Sequence, residues 1–295
     1  IWYKFKRQLG LKSRQKVYSG RGSLKWHNHI EWIQQWEVNN YFSFLNIKHQ
    51  FADKIDWNFF HYGKLWTYNL NYFDWLHQEG MKKTDGLNMI LKYCESYNHL
   101  IDGLEPYPTS LRLINWVKFL GLNDISDPDI DQFIFNDAYR LSHNLEYHLL
   151  ANHLLENAFS LTFAGVYLKD KSLYRKGIKI LSSQLNEQIL EDGAHYELSP
   201  MYHQLMLYRV LDTIQLLKKN SFSDDVSILH LLKNVASKMI SWLENITFLH
   251  GDIPLFNDSA FNVNPSIKDL INYAGIQGVV SAELQLGERI AEWVS

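Results

Sequence analysis

The 295-residue sequence contains one cysteine, Cys94, which excludes an internal disulfide and any paired-cysteine metal site. It also lacks an apolar run approaching the roughly 20 residues that a membrane-spanning helix requires, so no membrane span is expected. Basic residues are not in excess. The net charge of -3 and pI near 6.5 do not fit a clustered basic surface, so nucleic acid is not expected as a partner. The opening stretch "IWYKFKRQLGLKSRQK" has no apolar segment followed by small residues, and therefore no secretory signal. Because the chain opens at Ile rather than Met, its true N-terminus is expected to be missing, and the compartment stays open. Sustained apolar/polar alternation over several strands is absent, which argues against a sheet-based fold. No strict repeat of fixed length appears, which disfavours tetratricopeptide and HEAT arrays.

What the sequence does contain is aromatic and helical. Phe, Trp and Tyr make up 15% of residues, enough to line a sugar-binding cleft with stacking rings or to fill gaps between helices. Helical periodicity dominates from about residue 68 onward. It predicts helices over "YNLNYFDWLHQEG", "GLNMILKYCESYNHLI", "PTSLRLINWVKFLG" and "DIDQFIFNDAYRLSHNLEYHL". Four more follow, over "NHLLENAFSLTFAGVYL", "KSLYRKGIKILSSQLNEQIL", "SPMYHQLMLYRVLDTIQLLKK" and "DVSILHLLKNVASKMISWLENI". Pro108 suits a first turn, Ser126 or Asp127 a cap, and Ser199–Pro200 an N-cap with proline at the first helical position. Gly121 and Gly165 suit helix ends. The expected fold is all-α: an incomplete α/α toroid of helical hairpins over residues 61–295, preceded by an irregular arm over 1–60. Within the arm, "LKWHNHIEWIQQWEVNN" could be a helix, and "YFSFLNIKHQFADKIDWNFF" reads as loop with aromatic anchors.

Several stretches combine aromatic and polar residues beyond what core helices need: "LWTYNLNYFDWL", "EPYPTSLRLINW", "NHLLENA", "EDGAHYELSPMYHQ" and "HGDIPLFNDSAF". In this order and spacing the set resembles the heparinase II/III-type polysaccharide lyases, which include related alginate lyases. The likeness runs through nearly the whole chain. It implies a toroid followed by a C-terminal β-sandwich, with the active site between them. The chain ends about where the toroid should hand over, so the sandwich is expected to be absent and the piece alone inactive. The resemblance favours a periplasmic or extracellular location, an acidic polysaccharide as substrate, and no cofactor or metal.

The chemistry so implied is β-elimination from a uronic-acid-containing polymer. The uronate carboxylate is neutralised by hydrogen-bond donors, a base removes the C5 proton, and an acid protonates the leaving oxygen. Matching the family residue by residue assigns carboxylate neutralisation to Asn152 and His153 and acid, often also base, to Tyr202, with Tyr196 as runner-up. A catalytic histidine from the sandwich has no substitute here. Tyrosine acting as a base needs nearby positive charge, for which His203, His195 and Arg112 are candidates. Arg112 would bind a substrate carboxylate or sulfate, with Asn115 on the same helix face. Tyr68, Asn69, Asn71 and Tyr72 would form the cleft rim, and Glu156 would orient His153 across an i,i+3 contact. Alternatives remain for each: Asn152 as a helix cap, His153 as a satisfied side chain, Tyr202 as packing, Arg112 as a helix-linking residue. Two other groupings are weaker. His143, His148 and His153, spaced by five, fall on different helix faces and cannot share a metal. Asp252 and Asp258 could serve a glycoside hydrolase, yet one loop does not fix their separation. A non-catalytic carbohydrate-binding toroid is the competing class.

Overall fold

The computed structural model describes residues 17–149, 152–220, 226–261 and 263–282. The expectations for the opening stretch and the final "GERIAEWVS" fall outside these. The described helices are α1 (Lys64–Tyr72), α2 (Lys83–Ser96), α3 (Pro106–Leu122), α4 (Pro128–Ser142), α5 (Asn152–Tyr167), α6 (Lys171–Gln188), α7 (Pro200–Lys219), α8 (Val226–Ile246) and α9 (Ile267–Gln277). Sequential neighbours pack as hairpins, α5 against α6 and α7 against α8. The long apolar helices α3, α5 and α7 touch one another across the interior. This is an all-α, incomplete α/α toroid. α3, α5 and α7 are buried on nearly every face, polar positions included.

Caps form where the sequence places them. Asp127 accepts from the backbone of Asp129 and Ile130, and Ser199 accepts from Tyr202 with Pro200 at the first helical position. The helix expected over residues 129–149 stops at Ser142. There the Asn144 amide donates to the Arg140 carbonyl at 2.7 Å. The helix expected over 68–80 begins earlier and breaks at Phe73, which is left-handed (φ 63), before a 3-10 turn at Asp74–His77. α9 carries signals the periodicity reading passed over: Ser266 caps Asp269 reciprocally, and Gly278 closes the helix at φ 70.

The arm departs from expectation. Residues 24–40 form no helix, and 41–60 are not simply loop. Strands β1 (Trp36–Glu37), β2 (Tyr41–Phe44) and β3 (Ile47–Gln50) form an antiparallel meander, with Trp36 opposite Phe42 and Phe44 opposite Ile47. Its tight turn uses Leu45 and Asn46, both at positive φ, where such hairpins usually carry Asn-Gly. That substitution hides the hairpin from a motif reading. Phe42 and Phe44 are held by Trp75 and Trp66, at ring separations of 5.4 and 5.1 Å. Packing against the helices thus fixes strands too short to persist alone.

Gly165 lies in the last turn of α5, but a close helix crossing explains it better than an end signal. A Cβ there would come within 2.5 Å of the Tyr174 backbone nitrogen on α6. Gly165→Ala should gain up to about 1 kcal/mol of helix propensity. It should lose about 1–3 kcal/mol to overpacking against a backbone that cannot yield. Thermal unfolding should therefore show a lower melting temperature. An unchanged or higher value would mean that α5 and α6 are not packed this closely.

Candidate active site

A cleft of about 1680 Å³ opens along one side of the toroid. It exceeds the roughly 300–1,000 Å³ typical of small-molecule pockets, so it suits an oligomer. One wall is an aromatic ladder: Tyr68 and Tyr72 have ring centroids 6.1 Å apart, Tyr72 and Tyr107 6.0 Å, and Tyr107 and His153 4.4 Å. Spaced ring faces of this kind can stack on sugar rings. Most other large aromatics, including Trp57, Trp66, Trp75 and Trp116, are buried in the core.

The first turns of α5 and α7 deliver the polar groups. Asn152, the first residue of α5, donates its backbone N–H to Glu197 at 3.3 Å and lines the cleft. Next to it, His153 directs Nδ1 to Glu146 at 3.3 Å. Glu146 is locked by Asn157, which donates Nδ2 at 3.0 Å and accepts the Glu146 backbone N–H at 3.0 Å. Glu146, not Glu156, is thus the partner that orients His153. Glu156 points inward, where both its oxygens accept from Arg209 Nε at 3.0 and 3.1 Å.

Tyr202 sits in the first turn of α7. Asn257, Ser259 and Asn264 stitch this turn in place. Asn257 donates to the Leu198 carbonyl at 3.1 Å, Ser259 Oγ accepts from the Met201 N–H at 3.3 Å, and Asn264 donates to the Met201 carbonyl at 2.5 Å. Asn257 and Asp258 adopt left-handed φ values of 48 and 61, strain of the kind that clusters at functional sites. Burial raises the Tyr202 hydroxyl above its usual range, and the Asp258 and Glu197 carboxylates add to the effect. Its surroundings therefore hold it protonated, opposite to what a tyrosine base would need.

None of the three candidate cations sits where it would activate Tyr202. His203 is buried, donates Nε2–H to the Met239 carbonyl at 2.9 Å and accepts the His195 N–H at Nδ1, so it is neutral. Burial pushes it down to about 3, and His195 down to about 4. Arg112 lies beneath the cleft floor. It donates to Asp137 at 2.7 Å and to the Gly103 carbonyl at 2.8 Å, over the Tyr93 ring, and cannot reach a substrate. Asn115 is likewise buried; its amide grips the Tyr72 carbonyl at 2.9 Å and Asp74 at 2.7 Å, pinning the break after α1 that turns Asp74 into the cleft. Asn71 is turned into the core, donating to the Trp57 carbonyl at 2.9 Å. Asn69 lines the cleft but gives its amide to the Leu65 carbonyl at 2.8 Å. Tyr196 packs on His195 outside the cleft lining. Asp252 pairs with exposed His250 at 3.3 Å, whereas Asp258 lines the cleft, so the two do not form a carboxylate pair there.

Tyr107, Glu146, Arg209 and Asp258 complete the site and were not singled out for it from sequence; only Asp258 was weighed, for another role. Tyr107 lies in a stretch the sequence did single out, but for Arg112 and Asn115, whereas Arg209 sits among apolar residues of α7 where nothing separates a cleft residue from a core one.

The architecture and this cleft define a class, helical toroids built around an elongated, aromatic-walled groove. Residues 109–278 match the model for the heparinase II/III N-terminus, and the chain belongs to that family. A curated heparin-sulfate lyase from Bacteroides stercoris is 25% identical over 230 residues, covering 72% of this chain and 34% of that protein. A solved structure of heparinase III is 19% identical with a TM-score of 0.56, covering 83% of this chain and 42% of that one. A heparan sulfate lyase HepC mutant from Pedobacter heparinus is 19% identical with a TM-score of 0.51, over 75% and 39% of the two chains. The chain thus spans about a third of the length of the curated relative it matches. The solved structures support the fold.

The buried histidines make stability depend on acid. Their folded values, about 3 and about 4, lie below the ordinary 6.5. An unfolded chain therefore takes up protons below about pH 6.5 that the folded one refuses, and stability falls as pH drops. At pH 5 the loss should be about 2 kcal/mol per histidine. Denaturant midpoints measured from pH 7 to 5 should decline, and less steeply in His203→Gln. A flat profile would mean the histidines are charged in the fold.

Proposed function

We propose that the full-length protein is a polysaccharide lyase that cleaves a uronic-acid-containing acidic polysaccharide by β-elimination. The observation that carries this reading is the convergence of Asn152, His153 and Tyr202, from the first turns of α5 and α7, beside an aromatic ladder in one long cleft. The substrate class named for the relatives supports it: a heparin-sulfate lyase and a heparinase III.

The uronate lies along the ladder with its carboxylate toward Asn152 and His153. Their donors stabilise the negative charge that builds as C5 loses its proton. The C5–H electrons form the C4–C5 double bond, the C4–O bond breaks, and the leaving oxygen takes the Tyr202 proton. Because Asp258, Glu197 and burial keep Tyr202 protonated, it serves as the acid. The base is then a different group, which departs from the family expectation that this tyrosine often serves as base as well. Water enters no step of the bond cleavage.

Two variants test this in the full-length protein, followed by the ultraviolet absorbance of the unsaturated uronate. Tyr202→Phe should lower kcat about 10²–10⁴-fold with KM little changed. Asp258→Asn removes an anion that disfavours the phenolate, so the Tyr202 value should fall. The alkaline limb of the pH–rate profile should then move down by about one pH unit. Polymer bound without turnover, with Tyr202→Phe making no difference, would favour a non-catalytic binding toroid. An unmoved alkaline limb would remove Asp258 from the account.

A further inference from the structure

The two signs of charge around the cleft differ in how far a ligand can reach them. Both guanidiniums among its described lining residues are nearly buried and already paired. Arg140 donates to Asp137 at 2.8 Å and to Thr109 at 3.0 Å, and Arg209 donates to Glu156 at 3.0 Å. Lys64, whose ammonium stands 5.1 Å from the Tyr68 ring centre, is paired with Glu105 at 3.1 Å. The lining carboxylates are more open. Asp74 and Glu105 keep 16% and 21% of their side chains exposed, and Asp258 is exposed beside Tyr202. The mouth of the cleft is apolar as well. Ile33, Leu45, Leu65, Ile101, Phe261 and Val263 all line it and are between 45 and 68% exposed. Large apolar side chains gathered on one face mark a binding surface rather than scattered surface residues.

We infer that the cleft selects a uronate polymer without sulfate, whose sugars present uncharged groups to the apolar mouth. The inference rests on the polysaccharide reading above and departs from the sulfated polymers that name the relatives. Sulfated chains are gripped by clusters of accessible arginine and lysine. A sulfate in this cleft would instead lose water against apolar side chains and meet carboxylates rather than donors. Each further sulfate adds to that repulsion, so the penalty grows with the charge density of the polymer. The aromatic ladder carries no such penalty, because ring faces stack on sugars whatever their charge.

Calorimetry on this chain near pH 8, where an ordinary histidine is neutral, tests the selection. The ligands are an unsulfated hexuronate–N-acetylhexosamine oligosaccharide and its O-sulfated counterpart. The unsulfated form should bind about tenfold more tightly. Added salt should strengthen binding of the sulfated form by screening repulsion, whereas a grip through cations would weaken. Glu105→Gln, its melting temperature checked, releases Lys64 and should narrow the gap between the two ligands about threefold. Equal or tighter binding of the sulfated form, or an affinity for it that falls with salt, would overturn the selection and leave the polysaccharide reading standing. An unchanged gap in folded Glu105→Gln would overturn its electrostatic cause. Binding of neither ligand would overturn both the selection and that reading.

Discussion

The bond between Glu156 and Arg209 joins the two helices that carry Asn152, His153 and Tyr202. Both side chains are buried, and both oxygens of the carboxylate meet one edge of the guanidinium. A second buried pair runs parallel to it: Lys118 of α3 contacts Asp212 of α7 at 2.5 Å, with the Tyr208 and Tyr273 hydroxyls completing the network. Burial alone would depress Lys118, but Asp212 and Tyr208 outweigh it and hold it charged. Such pairs add little net stability over apolar packing, yet losing one partner leaves an uncompensated charge that costs about 3–5 kcal/mol. Their use here is register. A slide by one turn would strip each buried charge of its partner, a cost added to that of the close packing. The first turns of α5 and α7, and with them Asn152, His153 and Tyr202, are placed by that register.

The aromatic residues divide between two tasks. Trp57, Phe73, Trp75, Tyr93 and Trp116 form a packed cluster under the cleft, with ring centroids about 5 Å apart. Tyr68, Tyr72 and Tyr107 instead line the cleft in sequence, half-buried. The cluster explains the left-handed Phe73, because its ring packs at the centre while its backbone turns Asp74 toward Arg209. Core packing and cleft shape are thus set by the same few residues.

Helix positions were legible from periodicity and caps because α3 to α8 carry long apolar stripes and α4, α6 and α7 begin with ordinary capping residues. The meander was not, since a Leu-Asn turn lacks the usual glycine signal and its strands depend on Trp66 and Trp75 from elsewhere. Within the site, motif order led to Asn152, His153 and Tyr202. It misjudged Arg112, Asn115, Glu156 and His203, which share those motifs but face inward. A motif fixes residue identity and spacing along the chain, whereas facing depends on which neighbour satisfies the side chain. Arg209 was passed over for the reciprocal reason: an arginine in an apolar run reads as packing until the partner of each nitrogen is known.

Elimination conserves the mass of the polymer across the cut, whereas hydrolysis adds a water. Mass spectrometry of the fragments released by the full-length protein from a uronate polymer therefore tests the central claim directly. The account predicts new non-reducing ends lighter by one water than their hydrolytic equivalents, and none of these from the Tyr202→Phe variant. Fragments carrying the added water would contradict it.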